Sequence, residues 1–311
     1  MRKITEISPF FLNRKLKFST KRTPYQHNVY FCEVQTLKRI LDFYINSSVH
    51  VALSVFSMSW VTLRKFQLPF DADLLCFVFF AAVTGYNFVK YFGLAKFHYR
   101  SLAGWLKAIQ MFSFYCFVAL CFFALRLPVK TLFFIAGFGV VTFLYAIPFL
   151  PKRFFMDQQK NLRDIGGLKV YVIGFVWAGV TVLLPLFHQG YPFHADVWLT
   201  FFQRFVFVII LMLPFEIRDL QYDSLRLSTI PQKIGVRNTK IMGVLWGMLF
   251  FFLEFFKDDL DPNEIIITLI IAVITLIFVV LAKKEQSKYY SAFWVEGIPL
   301  LWLMLGFGMS K

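Results

Sequence analysis

The sequence predicts an all-α, polytopic membrane protein with nine transmembrane helices. Three observations carry this. Of 311 residues, 58% are apolar and 20% aromatic, while only 16% are charged. Apolar runs recur at the length of roughly 20 residues that a helix needs to cross a bilayer. Lysine and arginine fall between those runs in an alternating pattern. A soluble domain of this length does not have that profile.

In chain order, the expected spans are 42–63, 74–92, 104–125, 131–149, 169–187, 197–215, 241–256, 264–282 and 289–309. A basic leader, 1–41, precedes them, so the chain reads as a leader followed by one membrane domain over 42–311. The first span carries Asn46 and His50 one turn apart. Such residues line a cavity or hydrogen-bond to a neighbouring helix. The second is interrupted by polar residues and the seventh is short. The sixth contains Arg204 near its outer end, where a long cation snorkels to the interface. The ninth contains Glu296, an intramembrane acid and on that ground a functional candidate.

Charge sets the expected orientation. The formal net charge is +15. With the N-terminus in the cytoplasm, 25 of the 33 Lys and Arg residues lie on that side. Six lie opposite, and Lys90 and Arg204 fall within spans. The positive-inside rule then places the N-terminus inside and the C-terminus outside. The expected location is a bacterial inner membrane. Cations that follow topology do not gather on one folded surface, so no nucleic-acid partner is expected. The leader residues Arg14, Lys15, Lys17, Lys21 and Arg22 attract anionic membrane lipids instead. The leader lacks the apolar core and cleavage site of a secretory signal. The four cysteines, Cys32, Cys76, Cys116 and Cys121, show no metal-ligand spacing and read as small apolar fillers.

Chemistry is expected where the sixth span ends. Glu216, Asp219 and Asp223 stand at i, i+3 and i+7 and share one face of a helix. Acids at the mouth of a span cost free energy unless a cation is bound there or nearby. Ser228 or Thr229 ahead of Pro231 reads as a helix start, and Gly235 as a stop or a close approach. The expectation is a short protruding helix bearing the acids, then a turn and a second short helix. The loop after the second span emerges on the same face, so the two loops can share a site.

Two segments resemble the UbiA superfamily of intramembrane prenyltransferases. Asp219-x3-Asp223 followed by Thr229-Ile-Pro231-x3-Gly235 is similar to that family's second aspartate-rich motif. Tyr145-Ala-Ile-Pro148, a basic loop containing Lys152, and Leu168-Lys169 resemble its region between the fourth and fifth spans. The likeness covers nearly the whole chain. It implies a UbiA-like helical bundle with a cytoplasmic cap. It also implies transfer of a prenyl group from a prenyl diphosphate to an acceptor such as an aromatic or quinone-precursor ring. Asp219 and Asp223, with Glu216, would hold magnesium as both the catalytic and the metal-binding group. The metal would stabilise charge on the departing diphosphate.

The chain departs from the family at its first motif, Asn-Asp-x-x-Asp-x3-Asp, expected at the end of the second span. Aligned on Tyr91-Phe92, Lys90, Gly93 and Phe97 stand where acids belong, and Asn87 is off that register. Two accounts of the exchange remain open. Opposite charges about 4 Å apart attract by roughly 4 kcal/mol at an effective dielectric near 20. Lys90, Lys96 and Arg100 therefore suffice to grip a phosphate directly, with Asn87, Tyr145 and Lys152 completing the substrate site. Alternatively they pair with Glu216, Asp219 and Asp223 and close a non-catalytic, lipid-binding or scaffolding relative.

Overall fold

The computed structural model describes residues 24–95, 104–146, 167–221 and 229–309, with side chains over 35–91, 104–144, 167–221 and 229–309. The expected ligands Lys96, Arg100, Lys152 and Asp223, and the side chain of Tyr145, lie outside those residues. The chain divides into two units, Met1–Asp42 and Phe43–Lys311. Helix α1 (Pro24–Asn46) begins in the first unit and ends in the second.

Among the described residues every regular element is helical and there is no strand. After α1 come α2 (Val49–Lys65), α3 (Ala72–Ala95), α4 (Gly104–Ala124) and α5 (Val129–Ala146). A composite helix follows: α6 (Leu168–Ala178), a π-helical segment (Gly179–Leu183) and α7 (Leu184–His188). Then come α8 (Ala195–Asp219), α9 (Ile230–Phe252) with a 3₁₀ turn to Phe256, and α10 (Pro262–Leu281). The chain closes with a π-helical segment (Tyr290–Val295) and α11 (Ile298–Met309).

Seven helices among the described residues are long and apolar enough to cross a membrane, or eight if the bent pair Gln35–Asn46 and Val49–Lys65 is one span. They correspond to the expected spans two, three and five to nine. The first expected span, 42–63, is broken at Ser47–Ser48, so α2 alone has 17 residues. The fourth maps onto the shorter apolar helix Val129–Leu144. Phe114, Phe117 and Phe133 stand half or more exposed on α4 and α5. An apolar perimeter of this kind around helices of spanning length is that of a multi-pass integral membrane protein.

Helix α8 is the most enclosed of the spanning helices. It packs on α6, α9 and α10, while α2 packs on α3 and α11. The core centres on Phe207 (α8), Phe250 (α9) and Trp302 (α11), whose ring centroids lie 5.1–5.7 Å apart. Close approach of α9 depends on Gly243 and Gly247. A Cβ at Gly243 would meet Leu213 and Val279 at 2.8 Å, and one at Gly247 would meet Leu276 at 2.4 Å. This is the small-residue packing that lets helix backbones approach closely within a membrane.

One sequence reading is corrected here and one is met. Glu216 and Asp219 do not sit on a separate protruding helix, because α8 runs unbroken through the last apolar residues to Asp219. Thr229 and Pro231 do start a helix, and the Gln232 side chain accepts the Thr229 N–H at 3.0 Å. Gly235 (φ 79°, ψ 159°) is non-helical and separates a short first segment from the longer one that runs on to Phe252, so α9 is two helical pieces joined at a kink and the expected stop falls at Gly235. No atom lies within 4 Å of a Cβ built there, so the backbone angle requires glycine and packing does not.

Candidate functional site

The end of α3 and the start of α2 meet through three hydrogen bonds. Asn87 Nδ2 donates to the Ser47 carbonyl at 2.9 Å, Lys90 Nζ to Ser48 Oγ at 2.9 Å, and Tyr91 Oη to the Asn46 carbonyl at 2.8 Å. Asn46–Ser48 is the break between α1 and α2, and Ser48 adopts a left-handed conformation (φ 63°, ψ 17°). A non-glycine residue there costs of order 1–3 kcal/mol and persists only where its surroundings hold it. Asn87, Lys90 and Tyr91 provide that hold. Asn87 also donates to Ser113 Oγ at 2.8 Å, while its buried Oδ1 has no hydrogen-bond partner.

Lys90 differs from Asn87 in one respect. It is exposed, and among the described residues it makes no ion pair. Its ammonium has three donors, of which Ser48 takes one. The carboxylate whose field acts on it is Glu296, at the end of the Tyr290–Val295 π segment. Arg218 acts on the same carboxylate from α8. Glu296 is half-buried, makes no side-chain hydrogen bond, and has its backbone carbonyl held by Ser54 Oγ.

The acids on α8 are matched to other cations. Glu216 is buried with 1% side-chain exposure, and Lys169 Nζ donates to its Oε1 at 3.1 Å. Lys169 also lies 4.0 Å from Asp219 Oδ2, and Arg218 grips Asp219 Oδ1 at 2.7 Å. Lys90 therefore does not pair with Asp219. Internal pairing of the acids takes place, but through Lys169 and Arg218. Three cations (Lys90, Lys169, Arg218) face three carboxylates (Glu216, Asp219, Glu296), so the described groups carry no net charge.

The structure thus brings Lys90, Arg218 and Glu296 to one place, and ties Glu216 and Asp219 to Lys169. Asn87 is engaged in holding the α1–α2 break. The sequence reading passed over Ser48 and Lys169 as site residues, and gave Arg218 only as a local salt-bridge partner of Asp219. A signal existed for one of them: Asn46-Ser47-Ser48 is a polar triplet at the start of an apolar span. Lys169 stood in a segment the resemblance singled out, but which acid it meets depends on how α6 packs on α8, whereas Arg218 and Asp219 are sequence neighbours whose local pairing is expected.

Of two further residues, Arg204 departs from the sequence reading and His50 takes one of the two fates expected of it. Arg204 does not snorkel. It is 2% exposed, donates to the Met58 carbonyl at 2.9 Å, and lies over the Trp302 ring at 4.9 Å. His50 bonds across the bundle, with Nε2 2.8 Å from the Phe293 carbonyl and Nδ1 2.8 Å from Tyr44 Oη.

Among the described residues no group of three or more His, Cys, Asp or Glu is placed to hold a metal ion. A magnesium ion at Glu216 and Asp219 would meet Lys169 and Arg218 already there. The described donor set does not fit that ion. Comparison with family models, with curated proteins and with solved structures returned no match to this chain.

Proposed function

We propose that this chain is a UbiA-like prenyltransferase-family membrane protein. It crosses the bilayer nine times, with the N-terminus in the cytoplasm, and binds the phosphate end of an isoprenoid diphosphate at the Lys90 end of the bundle. The carrying observation is Lys90 itself, exposed at the end of α3 and held among the described residues by one hydrogen bond to Ser48. The field of one carboxylate, Glu296, links Lys90 at the end of α3 with Arg218 at the end of α8, where the family's two motifs belong. Lys90 is accessible, has unspent donors, and stands where the family has an acid.

In this reading a cation grips the diphosphate directly, in place of a metal held by carboxylates. Charge-assisted hydrogen bonds to phosphate oxygens supply the affinity. If transfer occurs, the bond between the prenyl carbon and the diphosphate oxygen breaks with its electrons leaving on oxygen. The allylic carbon then bonds to the acceptor, which releases a proton. Tyr86 and Trp177, joined by a 2.7 Å hydrogen bond from the indole, are aromatic neighbours suited to shelter such a cation.

A second reading is favoured by the engagement of Asp219 with Arg218 and Lys169. It is a non-catalytic relative that binds isoprenoid lipids or acts as a scaffold. Titration of farnesyl diphosphate into the protein in nanodiscs, with and without magnesium, tests the proposal. Saturable binding without magnesium is the expected result, and no binding under either condition refutes it. Product formation with an aromatic acceptor separates the enzyme from the non-catalytic relative.

A further inference from the structure

The opposite end of the bundle holds a feature that the reading above does not use. A cavity of about 570 Å³ opens between the end of α2, the segment before α8, the α9–α10 connection and the end of α11. Its least exposed charged lining residues are Glu254 and Lys257, with 4% and 1% side-chain exposure. Lys257 Nζ donates to Glu254 Oε2 and to Gln203 Oε1, both at 2.7 Å. Lys65 Nζ donates to Glu254 Oε1 at 2.5 Å, and Gln203 Nε2 to Glu254 Oε2 at 2.8 Å.

Charge and donors do not balance on this floor. Two lysine amines face one carboxylate, and that carboxylate is fully engaged. Each ammonium has three donors, of which Lys65 uses one and Lys257 two. Buried positive charge and unspent donors are costly unless an anion meets them. Glu264, on the first turn of α10, lines the same cavity in the field of both lysines. It makes no hydrogen bond or ion pair with any described residue. The exposed Asp259 and Asp261 lie at the rim, with half-buried Asp196 beside them. The cavity therefore offers both signs of charge, lysine amines among its buried lining and carboxylates among its more exposed lining, with Arg64 and His194 also on its wall. Tyr191 and Phe66, with centroids 5.2 Å apart, add aromatic surface to it.

We infer that this cavity binds a small zwitterion. The anionic group of the ligand meets Lys65 and Lys257, and its ammonium meets Glu264 and the rim carboxylates. The shared chemistry is that of a phosphate joined to an ammonium by a short chain, supplied either as a soluble compound or as a lipid headgroup. A purely structural ion-pair cluster would bind neither.

The test uses the full chain in detergent, titrated with phosphoethanolamine and, separately, with inorganic phosphate and with ethanolamine. Phosphoethanolamine is expected to bind at least about tenfold more tightly than either half. Lys65→Gln and Glu264→Gln are each expected to weaken it by about tenfold or more. Glu264→Gln removes no bond within the protein, so it remains informative if Lys65→Gln fails to fold. Reconstitution in phosphatidylethanolamine nanodiscs identifies the source. Loss of phosphoethanolamine binding there, but not in phosphatidylglycerol nanodiscs, assigns the site to the lipid headgroup, and retention in both assigns it to a soluble compound. Absence of saturable binding overturns the inference, as does equal binding of inorganic phosphate with no effect of Glu264→Gln. Lys90→Gln is expected to leave phosphoethanolamine binding unchanged, which keeps this site distinct from the isoprenoid site.

Discussion

Lys169 shows how one side chain decides the state of the α8 acids. It reaches Glu216 at 3.1 Å and Asp219 at 4.0 Å, so its removal takes a cation from a carboxylate that is 1% exposed. Hydrogen bonds to charged groups contribute about 1.5–3 kcal/mol each. Lys169→Ala is expected to destabilise the fold by about that amount, with Glu216→Gln restoring most of the loss in the double variant. Thermal melting in detergent reads both. Lys257 makes a second prediction at this scale. Burial, and then the neighbouring Lys65, pull its ammonium down to about 7 from the usual lysine range. With the folded pKa below the unfolded one, the unfolded chain holds more protons between the two values, and stability rises with pH there. Wild-type melting temperature should therefore climb from pH 7 to about pH 9 relative to Lys257→Met, which lacks the titration. A flat difference would contradict the assignment.

At the scale of elements, α9 carries the sharpest dependence on single residues. Gly235 has φ 79° and ψ 159°, a region essentially reserved for glycine. Gly235→Ala is expected to cost of order 1–3 kcal/mol although nothing would touch the added methyl. Gly247→Leu acts by the opposite route, because Leu276 lies where its Cβ must go. It should lower the yield of folded protein more severely than Gly235→Ala, measured as monodisperse protein after extraction. The start of α9 was legible in advance, since Thr229 and Pro231 are local signals of cap and first turn. The break at Ser47–Ser48 was not, because it is held from outside by Asn87, Lys90 and Tyr91. Nor were the π segments at Gly179–Leu183 and Tyr290–Val295, although Pro185 and Pro299 follow them within a turn or so.

At the scale of the whole molecule, helical class and the positions of the apolar segments follow from hydropathy alone, because a bilayer fixes the length of what crosses it. The pairing of charges does not follow. Lys169 meets Glu216 across a separation of 47 residues, and hydropathy carries no information on such partners. The second charged cluster, Lys65 with Glu254 and Lys257, went unread for the same reason.

The central claim is that Lys90 takes the role of a metal in holding an isoprenoid diphosphate. The most direct test is the affinity of farnesyl diphosphate for wild type and for Lys90→Gln, in nanodiscs without magnesium. Loss of one charge-assisted phosphate contact predicts a dissociation constant about ten- to a hundredfold higher in the variant. Equal affinity in the two proteins, with the variant folded, would contradict it.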